Sequence, residues 1–204
     1  MFALVESGTI TQFPKGNKGI TIGDNQYPQA IYTLWTEAER NAIGIYTVEI
    51  DSTNRKDEEF YINTNITYAF DSGKVTGSYG TATAKKIADE DAVDDEGNKI
   101  KDADGNQVIN YGLKTKYKNK FNAEAAGLLA KTDWYVIKAA DVGSYSVPSN
   151  VATYRAAVRT KVNAMETSID GCSDVAALIT LLTYTTDSEG VTSRPLGEFP
   201  KEVV

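Results

Sequence analysis

The sequence predicts an α+β protein: a small antiparallel β-rich N-terminal domain with one short helix, followed by a C-terminal three-helix module. Three observations predict it. Up to residue 84, short apolar pieces are separated by Gly, Asn, Asp and Pro. From residue 112 onward, apolar residues recur at three- and four-residue steps. Between them the chain turns acidic and glycine-punctuated. The expected divisions are a β-rich domain over 1–84, an acidic linker or hairpin over 85–111, a helical module over 112–184 and an irregular tail over 185–204.

In the first division the apolar pieces are Ala3–Val5, Gly19–Ile22, Gly44–Ile50, Phe60–Ile62 and Ile66–Phe70. The partial alternation from Ile45 to Ile50 marks a strand with one wet face. Asp71-Ser72-Gly73 ahead of Lys74 and Val75 predicts a hairpin from Ile66 to Val75. One helix interrupts the strands. Thr36 and Glu39 have the spacing of a capping box, Trp35 stands where a staple residue would, and Gly44 is the stop.

Gly97-Asn98 and Gly105-Asn106 repeat the same turn chemistry eight residues apart in the acidic segment. Asn98–Lys101 and Gln107–Ile109 are expected to pair around Asp102–Asn106. Asp102 and Asp104 have the first two spacings of a calcium loop, but glycine comes fourth rather than sixth and residue 113 is Leu rather than Glu. A turn is the better reading, in an exposed linker.

In the helical module, Leu113, Tyr117, Phe121, Ala125, Leu128 and Leu129 form one face. Lys114 and Lys118 fall on that side too and must lay their stems along it. Thr132-Asp133 is expected to break the helix, and Trp134 to Ile137 to run extended as an aromatic hinge. Pro148 opens a second helix with Val151, Tyr154, Val158, Val162 and Met165 inward. Ser173-Asp174 caps a third, with Val175, Leu178, Ile179 and Leu182 inward.

Composition narrows the function. The 204 residues contain no histidine, which removes the commonest general base and metal ligand. With 21 Lys plus Arg against 28 Asp plus Glu, the net charge of −7 argues against a nucleic-acid groove. No run is long enough to span a membrane, and the first residues do not resemble a secretory signal, so a reducing cytoplasm is the expected site of synthesis. Cys172 is the one cysteine and, without a histidine partner, is read as a buried inert thiol. The acidic residues are explained by solvation and capping before carboxylate-pair catalysis. Pro14–Gly23 lacks the Gly-Lys-Ser/Thr of a phosphate loop and is read as a turn between strands, contact of its two lysines with something anionic being the lesser alternative. No cofactor, no metal and no catalytic residue is expected.

One constellation remains. Leu128-Leu129, then Thr132-Asp133-Trp134-Tyr135, a loop, a proline, then Tyr154-Arg155 and Arg159 resemble the C-terminal module of bacteriophage tail-fibre assembly and tail-associated proteins, of the form LLxxTDW followed by YRxxxR. The resemblance covers about a third of the chain, and Trp35 to Val48 looks more loosely like the front half of marine phage tail proteins. It implies a structural component of the virion tail, made in the bacterial host cytoplasm. Its implied partners are fibre or baseplate proteins, with a homo-oligomer also allowed. A tail-fibre assembly chaperone, a carboxylate-based glycan hydrolase and a host-receptor binder remain as alternatives. Trp134, Tyr135, Tyr154, Arg155 and Arg159 are the candidate interface, since Trp, Tyr and Arg are enriched at interface centres. Trp134 itself is expected in the core.

Overall fold

The computed structural model describes residues 1–202, so the last two residues of the expected tail lie outside the described residues. The protein is α+β, with strands first and long helices after. It divides into two compact units, Met1–Thr83 and Ala84–Val204.

The first unit runs β1 (Phe2–Glu6), β2 (Thr9–Gln12), β3 (Ile20–Ile22), β4 (Asn25–Tyr27), α1 (Ile31–Leu34), α2 (Glu37–Ala42), β5 (Ile45–Asp51), β6 (Tyr61–Ile62), β7 (Ile66–Asp71) and β8 (Lys74–Tyr79), with β9 (Thr83–Ala84) at its end. Five of these strands form one sheet in the order β2-β1-β5-β8-β7. β1 is apolar from Phe2 to Val5, where both its faces are covered, and ends in the exposed Glu6. Ala3 and Val5 join Val48 and Val75 in one core, while Leu4 joins Ile20, Ile31, Tyr32 and Ile45 in another. The second core is roofed by the β3–β4 hairpin and the two short helices, with Trp35 and Ile43 packed against it.

The expected hairpin is present: β7 and β8 pair antiparallel around Ser72 and Gly73, both at positive φ. Two expectations need correcting. The sheet is mixed rather than antiparallel, because β8 inserts beside β5 and runs parallel to it, with Val48 opposite Val75. Two short helices occur rather than one, α1 preceding the capped α2. The capping box of α2 is as read, with Thr36 N–H donating to Glu39 and Glu39 N–H to Thr36 Oγ1.

The second unit opens with the acidic segment, which is largely exposed, buries only Ala92, and is tied by hydrogen bonds to the start of the helix that follows it. Ala92, Ile100 and Val108, eight residues apart, close a ring of backbone bonds. Ala92 N–H donates to Val108 (2.8 Å), Ile100 N–H to Ala92 (2.9 Å) and Val108 N–H to Ile100 (2.9 Å). Three short antiparallel pairs radiate from this ring: β10 (Glu90–Asp91) with β11 (Ile109–Asn110), Val93 with Lys99, and Lys101 with Gln107. The last is the pairing expected around Asp102–Asn106. The two outer turns are near copies, each with an Asp oxygen accepting two backbone N–H groups and a glycine at positive φ.

Asp89 leads out of this knot into α3 (Leu113–Ala130). It accepts from Gly112 N–H at 2.8 Å and from Thr115 Oγ1 at 2.9 Å, satisfying groups at the helix start. α3 then packs antiparallel on α5 (Ser149–Asp170), burying Leu113, Tyr117, Phe121 and Ala125 against the predicted face of α5. The pairing is marked at the seam by Lys114 and Lys118 on Asp170 and by Asn122 on Glu166.

The module has four helices, not three. Between α3 and α5 lies α4 (Asp133–Asp141), spanning the residues expected to be extended. α6 (Val175–Leu182) begins at Asp174, whose carboxylate accepts from Ala177 N–H at 2.8 Å. The tail is also more ordered than expected. β12 (Thr185–Thr186) and β13 (Thr192–Ser193) pair, after which Leu196 is buried and its carbonyl accepts from Lys161. Arg194 lies over the rings of Phe121 and Tyr184.

Candidate docking surface

The residues from Leu129 to Tyr145 form a clamp and a presented face. Arg155 is the clamp. It stands on α5 and is 8% exposed, one of two buried polar side chains among the described residues, with Thr132 the other. One guanidinium nitrogen donates to Leu129 O and to Thr132 Oγ1, both at 2.7 Å. The other pairs with Asp133 Oδ1 at 2.8 Å. Thr132 Oγ1 in turn donates to Leu129 O at 2.9 Å. One side chain therefore engages a carbonyl at the end of α3 and a carboxylate in the first turn of α4, fixing the bend between them.

Asp133 in the first turn and Lys138 in the last suit the dipole of α4. Val142 N–H donates to Lys138 O and ends the helix. None of its nine residues is buried. Trp134 is 50% exposed and Ile137, three residues on, is 63% exposed, so both stand on one outward face. Val136 and Val142 are also exposed. The indole is held rather than loose. Its ring lies 3.9 Å from that of Tyr135, and the Lys138 ammonium sits 5.6 Å from its centroid and 4.3 Å from that of Tyr145.

The expected interface residues therefore separate into three kinds. Trp134 and Tyr135 come together on α4, with Trp134 at the surface rather than in the core. Tyr154 is buried at 3% exposure, its hydroxyl without a partner, and is a core residue. Arg155 is committed to its own chain and has no fork left for a partner. Arg159, a turn further along α5, is exposed and has no ion-pair partner among the described residues. Ile137, Val136 and Val142 were missed because an extended Trp-Tyr-Val-Ile run has no helical face.

Asp57 and Glu58 line an open surface hollow together with Arg55 and Lys56, and Arg55 pairs with Glu58 there at 3.0 Å. Asp94 and Asp102 are tied into their turns, the backbone N–H groups of Asn98 and Asn106 holding their carboxyls below the usual range. Among the described residues no three His, Cys, Asp or Glu side chains group closely enough to hold a metal ion. Cys172 is buried, which pushes its thiol up, and its sulfur lies 3.5 Å from Ser168 O. Among the described residues no helix is long and apolar enough to cross a membrane.

Comparison with protein-family models, with curated proteins and with solved structures finds no match for this chain.

Proposed function

We propose that this protein is a non-enzymatic structural component of a phage tail that docks onto fibre or baseplate proteins through the outer face of α4. The tail assignment rests on the resemblance carried by Leu128-Leu129, Thr132–Tyr135, Tyr154, Arg155 and Arg159. The observation that carries the docking mode is a nine-residue helix with nothing buried and an indole held outward by its neighbours. A helix that contributes no residue to its own core is poorly explained by folding alone. A pre-oriented Trp beside Ile137 costs less to order on binding than a free side chain, and Trp is the residue type most often found at energetic centres of interfaces.

Docking by strand addition, which a free sheet edge would favour, is the weaker mode for this chain. The edge strands β2 and β7 approach each other, and the rings of Phe13 and Tyr68 meet at 4.6 Å. The acidic composition and the absence of histidine favour a binding role over acid–base chemistry. Mass spectrometry of purified infectious particles tests the proposal. The chain is expected at a fixed ratio to tail proteins, and its absence from finished particles would turn the reading to an assembly chaperone.

A further inference from the structure

The first unit contains a cavity of about 410 Å³ that the docking reading leaves unused, bounded by the Pro14–Gly19 loop. Its lining is chemically one-sided. Lys15 and Lys18 contribute two cations and no carboxylate joins them, although the chain as a whole is acidic. Neither lysine has an ion-pair partner among the described residues. Gln12 and Asn17 add two exposed amides, each able both to donate and to accept.

Two further features distinguish the cavity from a surface dent. Tyr32 forms part of its wall, is 7% exposed, and ends in a buried hydroxyl with no hydrogen-bond partner. Phe13, also in the wall, is 41% exposed and backed by the Tyr68 ring, which fixes an aromatic face toward solvent. The volume falls within the range of small-molecule sites and suits a short, compact ligand.

We propose that this cavity binds a small acidic saccharide. Lys15 and Lys18 take its carboxylate or phosphate, the amides of Gln12 and Asn17 take ring hydroxyls, and Phe13 supports the apolar face of a sugar ring. Each of these chemistries has a match in such a ligand, whereas a bare anion would leave Phe13 and the amides unused and a neutral sugar would leave the lysines unused. The proposal is independent of α4, which belongs to the other unit, so either can fail without the other.

Calorimetric titration of the full chain with digalacturonate, glucose 6-phosphate, maltose and inorganic phosphate tests it. At least one acidic sugar is expected to bind about tenfold or more tightly than both maltose and phosphate, and the tighter acid identifies the anion. The unmodified protein should lose about threefold or more in affinity for that sugar between low and high salt. The double variant K15Q/K18Q, altered at two exposed loop positions, should lose about tenfold. Absence of binding by both acidic sugars, equal binding of maltose or phosphate, or unchanged affinity in K15Q/K18Q would each overturn the proposal.

Discussion

Replacing Arg155 by methionine keeps the buried stem and removes the guanidinium. Two hydrogen bonds from a charged donor are lost, to Leu129 O and Thr132 Oγ1. Bonds of that kind contribute about 1.5–3 kcal/mol each. Leu129 O keeps the Thr132 hydroxyl and N–H as donors, so the lower end applies there. The pair with Asp133, whose side chain is 50% exposed, adds at most about 1 kcal/mol. The sum is about 3–5 kcal/mol, which lowers the melting midpoint of a unit of this size by about 10–20 °C. Arg155→Lys loses the fork and should recover only part of that. The chain has one tryptophan in each unit, Trp35 and Trp134, so a Trp35→Phe background makes urea unfolding of the second unit readable by fluorescence. A loss below about 0.5 kcal/mol in Arg155→Met would refute the clamp.

Trp134→Ala combined with Ile137→Asp should leave the unfolding midpoint nearly unchanged, within about 0.5 kcal/mol, while abolishing docking in a particle-assembly assay. Arg159→Ala should be equally neutral in stability, as expected of an exposed side chain. Gly77→Val should cost about 2 kcal/mol, measured by urea unfolding, because a Cβ there would lie 2.8 Å from Tyr68, 2.9 Å from Ile50 and 3.0 Å from Ile66 side-chain atoms. Acidification should loosen the two turns that meet at Ala92. The folded carboxyls of Asp94 and Asp102 titrate below their unfolded values, so their contribution is complete above about pH 4 and is lost as pH falls through the folded values. Amide-exchange protection at Ala92, Ile100 and Val108, measured relative to the unfolded chain at the same pH, should fall in that window, and Asp94→Asn should blunt the effect.

What could be read in the sequence was set by local periodicity and caps. The inward face of α5 from Val151 to Met165 followed from its spacing, as did the Thr36–Glu39 box and the Asp174 cap, because each is decided within a turn or two of helix. What could not be read was decided by partners distant in sequence. Trp134–Ile137 is an aromatic and β-branched run that locally favours a strand. It becomes α4 in a setting where Arg155, more than twenty residues on, fixes the bend before it. The burial of Arg155 did leave a trace. It stands four residues after Val151 and three before Val158, on the apolar stripe rather than opposite it. The parallel pairing of β5 with β8 left none, since strand content does not say on which side a hairpin docks. The cavity left only a partial trace, two lysines among glycines, because Phe13 and Tyr32 join Lys15 and Lys18 only once β3, β4 and α1 are in place.

The most direct test of docking through α4 places a photo-crosslinking benzoylphenylalanine at position 137 of the full chain, with a matched probe at Ala176 on α6, in cells assembling the phage. The account predicts crosslinks from position 137 to a fibre or baseplate protein in purified particles, and none from position 176. Particles that contain the chain yet yield no crosslink from position 137 would contradict it.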